Sequence, residues 1–262
     1  MDEWHYQPVS DLEQSLLQRL RRFPREPDML CYGIRSASAL ALRAWLACYH
    51  RFTIIGRENL PATGPYVLLS NHSSHLDALC LLSSVPLRRL HETFPAAAED
   101  YFFVNLPRMV LSALLINALP FNRQGRTRRS LALCQHLLTQ GNILVLFPEG
   151  TRSVTREIRR FRPGIGLLLA GTTFAAVPCY LSGAREAMCK GSWLPKPRRI
   201  ILTIGAPRSY ADRPRDKGSV LQICRELQCA VEQLQEGQFT AGSQPVPKPA
   251  LSSSATMSGG PG

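Results

Sequence analysis

Apolar and polar positions along this chain follow two rhythms. Short apolar runs of strand length occur at 52–55, 66–70, 93–98, 118–121, 143–147, 174–181 and 199–204. Between them, apolar residues fall three and four apart, at 75–82, after Pro107, and at 127–139, 163–170 and 214–235. The first rhythm predicts strands and the second helices. The run 143–147 is apolar throughout, as expected where a sheet is covered on both faces. Gly141 stands where the helix 127–139 stops. Strands and helices taking turns predict an α/β layered domain.

The ends of the chain read differently. Leu12, Leu16, Leu17 and Leu20 give 9–22 a helical spacing, Arg19, Arg21, Arg22 and Arg25 crowd its end, and Pro24 and Pro27 stop it. A second helix, rich in Ala and Leu, is expected over 36–50. This pair can lie on a membrane, with arginines at the headgroups, or pack on a core as two ordinary helices. Residues 164–184 hold no charge and are nominally long enough to cross a bilayer. Gly171-Thr172-Thr173 and Pro178 interrupt them, so the expectation is a buried helix, a turn and a buried strand. From about Gly237 the composition shifts to Pro, Ser, Gly and Ala, which predicts a disordered tail. The division is therefore 1–50 interfacial helices, 51–236 a folded domain and 237–262 a tail.

Composition narrows the partners. A chain of 262 residues with 45 % hydrophobic content can bury its own core. The net charge of +12 is mostly arginine and favours anionic partners, although a general compositional preference for Arg contributes. The eight cysteines form no CxxC pair and lie mostly in apolar runs, which suits a reducing compartment rather than a disulfide framework. The polar, acidic start is not a secretory signal.

Two segments carry the candidate chemistry. In Asn71-His72-Ser73-Ser74-His75-Leu76-Asp77, Ser74 can cap the following helix, with Asp77 at capping-box spacing. An Asp in that first turn can also reach one nitrogen of His72, fixing its tautomer and leaving the other nitrogen to take a proton. His75 is expected to be a partly solvated surface histidine. His72, His75 and Asp77 do not match a metal-hydrolase spacing, because the first gap is one residue too long and Ala78 replaces the last histidine; no metal is expected. In Phe147-Pro148-Glu149-Gly150-Thr151-Arg152-Ser153, a tight turn after a strand carries Arg152, a planar fork suited to phosphate. Glu149 can orient that Arg or accept from substrate; alternatively the loop is a surface turn with a Glu–Arg pair of little value. Phe121-Asn122-Arg123 follows another strand, and Val177-Pro178-Cys179 reads as core.

Taken together, these segments resemble the glycerolipid acyltransferase family, of the bacterial lysophosphatidic acid type. Asn71, His72 and Asp77 match its N-H-x(4)-D motif. Phe121 and Arg123 match its F-x-R, residues 147–153 its F-P-E-G-T-R-S, and Val177 and Pro178 its V-P strand. The resemblance covers roughly 50–210. It implies a mixed, mostly parallel sheet flanked by helices, with an amino-terminal helical pair on the membrane. It implies an O-acyltransferase in which His72, oriented by Asp77, removes a proton from a lysolipid hydroxyl that attacks a thioester. Arg123, Glu149, Gly150, Thr151 and Arg152 would form the phosphate site. No cofactor is implied; acyl-CoA or acyl-carrier protein would be the co-substrate, and a lysophospholipid the acceptor. The protein would sit peripherally on the cytoplasmic face of the inner or plasma membrane. Three positions depart from the family pattern: Asn122 replaces a frequent acid, no glycine precedes 119–121, and Cys179 replaces a branched aliphatic.

Other readings remain alongside. The acceptor could be glycerol 3-phosphate, another lysolipid or an amino-lipid. A peripheral lipid-binding protein without catalysis is a different class. Nucleic-acid binding is not expected, because no aromatic-interleaved basic patch occurs.

Overall fold

The structure is a computed structural model describing residues 29–98, 119–121, 127–153, 155, 157–189, 192 and 194–242. The expected helix 9–22, the helix after Pro107, Arg123 with Asn122, and the tail from 243 lie outside the described residues.

Helix α1 (Met29–His50) leads into strand β1 (Thr53–Ile55). Then come β2 (Tyr66–Ser70), α2 (Leu76–Ser84), β3 (Thr93–Ala98), β4 (Leu119–Phe121) and α3 (Thr127–Thr139). The chain continues through β5 (Ile143–Leu146), α4 (Pro163–Leu169), β6 (Ala175–Ser182) and the short α5 (Ala184–Ala187). Strand β7 (Ile201–Ile204) and helix α6 (Lys217–Gly242) complete the described fold. The expected alternation is present, and 164–184 divides into a helix, a turn and a strand. Helix α1 begins seven residues before the expected 36–50, and α6 runs to Gly242, past the expected 235 and into the expected tail. Apolar spacing marks the packed part of a helix rather than its ends, so the spacing alone misplaces both.

The sheet has seven strands in the order β1-β7-β6-β2-β5-β3-β4. Five are mutually parallel, from β6 through β4, and β7 pairs antiparallel with β6. Strand β1 runs parallel to β7, so the edge strand and its neighbour at that side are both reversed. The mixed, mostly parallel sheet flanked by helices is thus observed.

Every residue of β2 is buried because neighbouring side chains point into different cores. Val67 and Leu69, with Leu144 of β5 and Ala176 and Tyr180 of β6, face α3, α4 and α6. Tyr66 and Leu68, with Ile143, Val145, Val177 and Cys179, face α1 and α2. Each fully buried aliphatic contributes about 1.5–3 kcal/mol. Helix α6 buries Val220, Ile223, Cys224, Leu227 and Val231, a stripe at helical spacing. It lies so close to α4 that a Cβ at Gly166 would run into the Val220 carbonyl.

This wiring places the site. The chain leaves β2 through α2 on one face and leaves β5 through α4 on the other. The loops after these two adjacent parallel strands therefore diverge, opening a crevice at their carboxyl ends.

Candidate active site

Both chemistry-bearing segments line that crevice. The first leaves β2. Asn71 anchors it: its side-chain oxygen accepts from Leu181 N–H at 2.9 Å and its side-chain nitrogen donates to Leu181 C=O at 3.0 Å. The side-chain amide thus continues the ladder to β6 for one further pair. His72 follows and stacks on Phe147, with ring centroids 4.1 Å apart and planes 17° from parallel.

Asp77 is fully buried, and one of its oxygens gathers the loop. Oδ2 accepts from Ser73 N–H at 2.6 Å, from Ser74 N–H at 2.8 Å and from His72 Nδ1 at 3.0 Å. Ser74 Oγ accepts from Leu76 N–H at 3.2 Å and donates to Met188 C=O at 2.8 Å. The capping box and the His–Asp pair are therefore one structure: the carboxylate that starts α2 also holds the imidazole. Because Oδ2 acts as the acceptor, the imidazole hydrogen sits on Nδ1. Nε2 is left as the acceptor that can take a proton.

The second segment leaves β5. Gly150 has φ of 77°, and its N–H donates to Phe147 C=O at 3.0 Å, closing the turn. A Cβ there would meet the Arg162 side chain. Glu149 is 4 % exposed, so this loop is no surface turn. Its Oε1 accepts from His72 N–H at 2.8 Å and its Oε2 from Arg159 N–H at 3.2 Å. Among the described residues Glu149 therefore braces backbone, through both of its oxygens. Burial raises its carboxyl above the usual range, against the two N–H donors. Ser153 N–H donates to His72 C=O at 2.7 Å, so the two loops are stitched on both sides of His72. Thr151 Oγ1 accepts from Arg159 Nη1 at 3.3 Å.

Arg152 reaches the first segment by another route. Its Nη1 donates to His75 Nε2 at 2.5 Å. His75 is partly exposed, as expected, and is engaged by Arg152. Burial first, and the nearby Arg152 charge second, push it down to about 4. Arg152, His75, His72 and Asp77 thus form one cluster. Among the described residues no three His, Cys, Asp or Glu side chains could hold a metal ion. A cleft of about 260 Å³ opens beside His72, bordered by Asn71, Glu149, Ser153, Tyr180 and Arg185.

Of the expected site residues, the structure brings together His72, Asp77, Glu149, Gly150, Thr151 and Arg152; Arg123 lies outside the described residues. Sequence reasoning missed Asn71 as a ladder extension, Phe147 as a stacking platform and His75 as the partner of Arg152. All three lie inside the quoted segments, but the partner of each is distant in sequence or set by tertiary packing.

The family model described as Acyltransferase matches residues 51–182, half of the chain. The chain belongs to this acyltransferase family. It is 30 % identical over 186 residues to "1-acyl-sn-glycerol-3-phosphate acyltransferase LPAT1, chloroplastic" of Arabidopsis thaliana, a match covering 70 % of this chain and 49 % of the relative. It is 28 % identical over 144 residues to the human 1-acyl-sn-glycerol-3-phosphate acyltransferase alpha, covering 53 % and 48 %. The chain spans about half the length of the curated relatives it matches. Its fold is similar to the 1-acyl-sn-glycerophosphate acyltransferase PlsC of Thermotoga maritima, with a TM-score of 0.59 and 21 % identity over 78 % of this chain and 79 % of that one.

Proposed function

We propose that this acyltransferase-family chain moves a fatty acyl group from a thioester donor to the free hydroxyl of lysophosphatidic acid, giving phosphatidic acid. The observation that carries the reading is the His72–Asp77 pair, with Nε2 available and Arg152 in the same cluster. His72 Nε2 takes the proton from the acceptor hydroxyl as its oxygen attacks the thioester carbonyl. The carbon–sulfur bond then breaks, and the imidazolium returns the proton to the departing thiolate. Asp77 stabilises the imidazolium between these steps. Arg152 holds the acceptor phosphate, with Arg123 as its partner. Acyl-CoA or acyl-carrier protein serves as donor, and no further cofactor takes part. The names of the relatives support this acceptor.

The reaction takes place at a membrane surface. Helix α1 exposes Tyr32, Ile34, Leu40 and Tyr49, which supports contact with lipid. Among the described residues no helix is long and apolar enough to cross a membrane.

The test incubates the purified chain with lysophosphatidic acid, glycerol 3-phosphate and other lysolipids, each with both donor types, and identifies products by mass. Phosphatidic acid is the expected main product. His72→Ala should lower turnover at least about 10²-fold while leaving the melting curve near wild type. Undiminished turnover in that variant would refute the assignment.

A further inference from the structure

We infer that His75 is a positioning residue for the acceptor's phosphate: it accepts a hydrogen bond from Arg152 and fixes that guanidinium beside the His72–Asp77 pair. The inference rests on the reading of Arg152 as the phosphate-binding residue.

The geometry begins with the contact itself. Arg152 Nη1 and His75 Nε2 are 2.5 Å apart. A guanidinium can only donate, so His75 accepts at Nε2 and carries its hydrogen on Nδ1. An imidazole in that state is neutral. Among the described residues the charged and titratable groups facing it are Arg152 from the loop after β5, and His72 and Asp77 from its own segment. Burial and Arg152 keep it uncharged down to about pH 4.

Neutrality explains why a histidine serves here. A carboxylate partner would orient Arg152 equally well but would cancel much of the charge that attracts a phosphate. A neutral acceptor fixes the arginine without itself offsetting the arginine's charge. His75 also sits where α2 begins, directly before Leu76, so its backbone is fixed by the same capping arrangement that fixes Asp77. The base and the phosphate clamp are thereby referred to one rigid turn. The same contact occupies Nε2 of His75, which leaves His72 as the imidazole that takes the acceptor's proton.

The experiment uses the full chain with lysophosphatidic acid as the varied acceptor at saturating thioester donor. His75→Leu removes the acceptor atom at similar volume. It should raise the acceptor KM about 10-fold, the scale of a lost hydrogen bond to a charged group, with kcat and donor KM within about threefold of wild type. His75→Gln, which retains a carbonyl acceptor, should restore the acceptor KM to within about threefold of wild type. In an Arg152→Ala background, His75→Leu should add nothing further. An unchanged acceptor KM in His75→Leu, a loss confined to kcat, or a full additive effect in the Arg152→Ala background would each overturn the inference. The two readings separate cleanly. If Arg152→Ala leaves the acceptor KM unchanged, the phosphate site itself is misassigned. If Arg152→Ala raises it and His75→Leu does not, only the role of His75 fails. A thermal melt of His75→Gln checks that the fold persists.

Discussion

The two loops that meet at the carboxyl ends of β2 and β5 are each organised by a buried carboxylate, but in opposite ways. Asp77 gathers groups from its own segment: Ser73 N–H, Ser74 N–H and the His72 ring, all within five residues. Glu149 gathers backbone groups from elsewhere, His72 N–H 77 residues away and Arg159 N–H ten residues on. The first carboxylate sets a side chain for chemistry and starts a helix in the same act. The second fixes the distance between two loops. The difference teaches which substitution should strike turnover and which should strike the frame that turnover needs.

Substitution of Asp77 tests the local brace and carries the largest expected effect. An Asn can still offer one oxygen to the two backbone N–H groups and the ring. It carries no negative charge to stabilise the imidazolium, so kcat should fall by about 10²–10⁴-fold. Its amide nitrogen would take the place of Oδ1, which is buried without a hydrogen-bond partner among the described residues. Some stability should be lost there as well, about 1–3 kcal/mol. Steady-state kinetics with parallel melting curves check this. A rise in KM with kcat intact would mean that Asp77 only shapes the loop.

The remote brace should behave differently. Glu149→Gln leaves one oxygen to serve two N–H donors, so either His72 N–H or Arg159 N–H faces an amide nitrogen. A buried unpaired donor costs about 1–3 kcal/mol. Turnover should fall about tenfold, less than for Asp77, because the His72–Asp77 contact itself survives. A pH signature accompanies it. The folded-state carboxyl of Glu149 is raised by burial, so the folded chain binds its proton more tightly than the unfolded chain does. Its contribution to stability is therefore present at low pH. It is lost as pH rises from the ordinary carboxylate range through the raised value. Melting temperature against pH should show this fall in the wild type and a flatter profile in Glu149→Gln. Equal slopes in the two proteins would remove Glu149 as the cause.

The same contrast explains how much was legible in the sequence. The strand and helix alternation, the apolar β2 and β5, and the Ser74–Asp77 capping spacing are local patterns, and each is found in the structure. The His72–Asp77 contact was readable because a five-residue separation at a helix start leaves few geometries. The reversal of β7 and of the edge strand β1 was not readable, because strand direction depends on where the chain crosses the sheet, not on any residue in the strand. The bonds from Glu149 to His72 and Arg159, and the pairing of Arg152 with His75, arise only when β2 and β5 lie side by side. A Glu directly before a Gly in a turn looks the same whether it faces water or two distant amides. Asn71 was quoted for its place in a motif, but its bonds to Leu181 depend on β6 lying beside β2.

The smallest expected effect comes from Gly150, which shapes the turn without touching the His72–Asp77 pair. Its φ of 77° lies where an L-residue is strained, and the space beyond its Cα is filled by the Arg162 side chain. Gly150→Ala must therefore bear the left-handed strain, about 1–2 kcal/mol, and displace a long side chain that can swing aside. Arg162 also begins α4, and its N–H donates to Pro148 C=O at 3.0 Å, so the shift would pass to the start of that helix. Arg152 lies two residues past the strained position, whereas Asp77 is one step further away, on the other loop. Melting temperature should drop by a few degrees. The acceptor KM should rise by about threefold, and kcat should stay near wild type, since a geometry-only change in the clamp weakens binding without removing the base. Should Gly150→Ala instead lower kcat as far as Asp77→Asn does, the two loops would not be separable braces. The turn after β5 would then have to be counted as part of the proton-transfer apparatus itself.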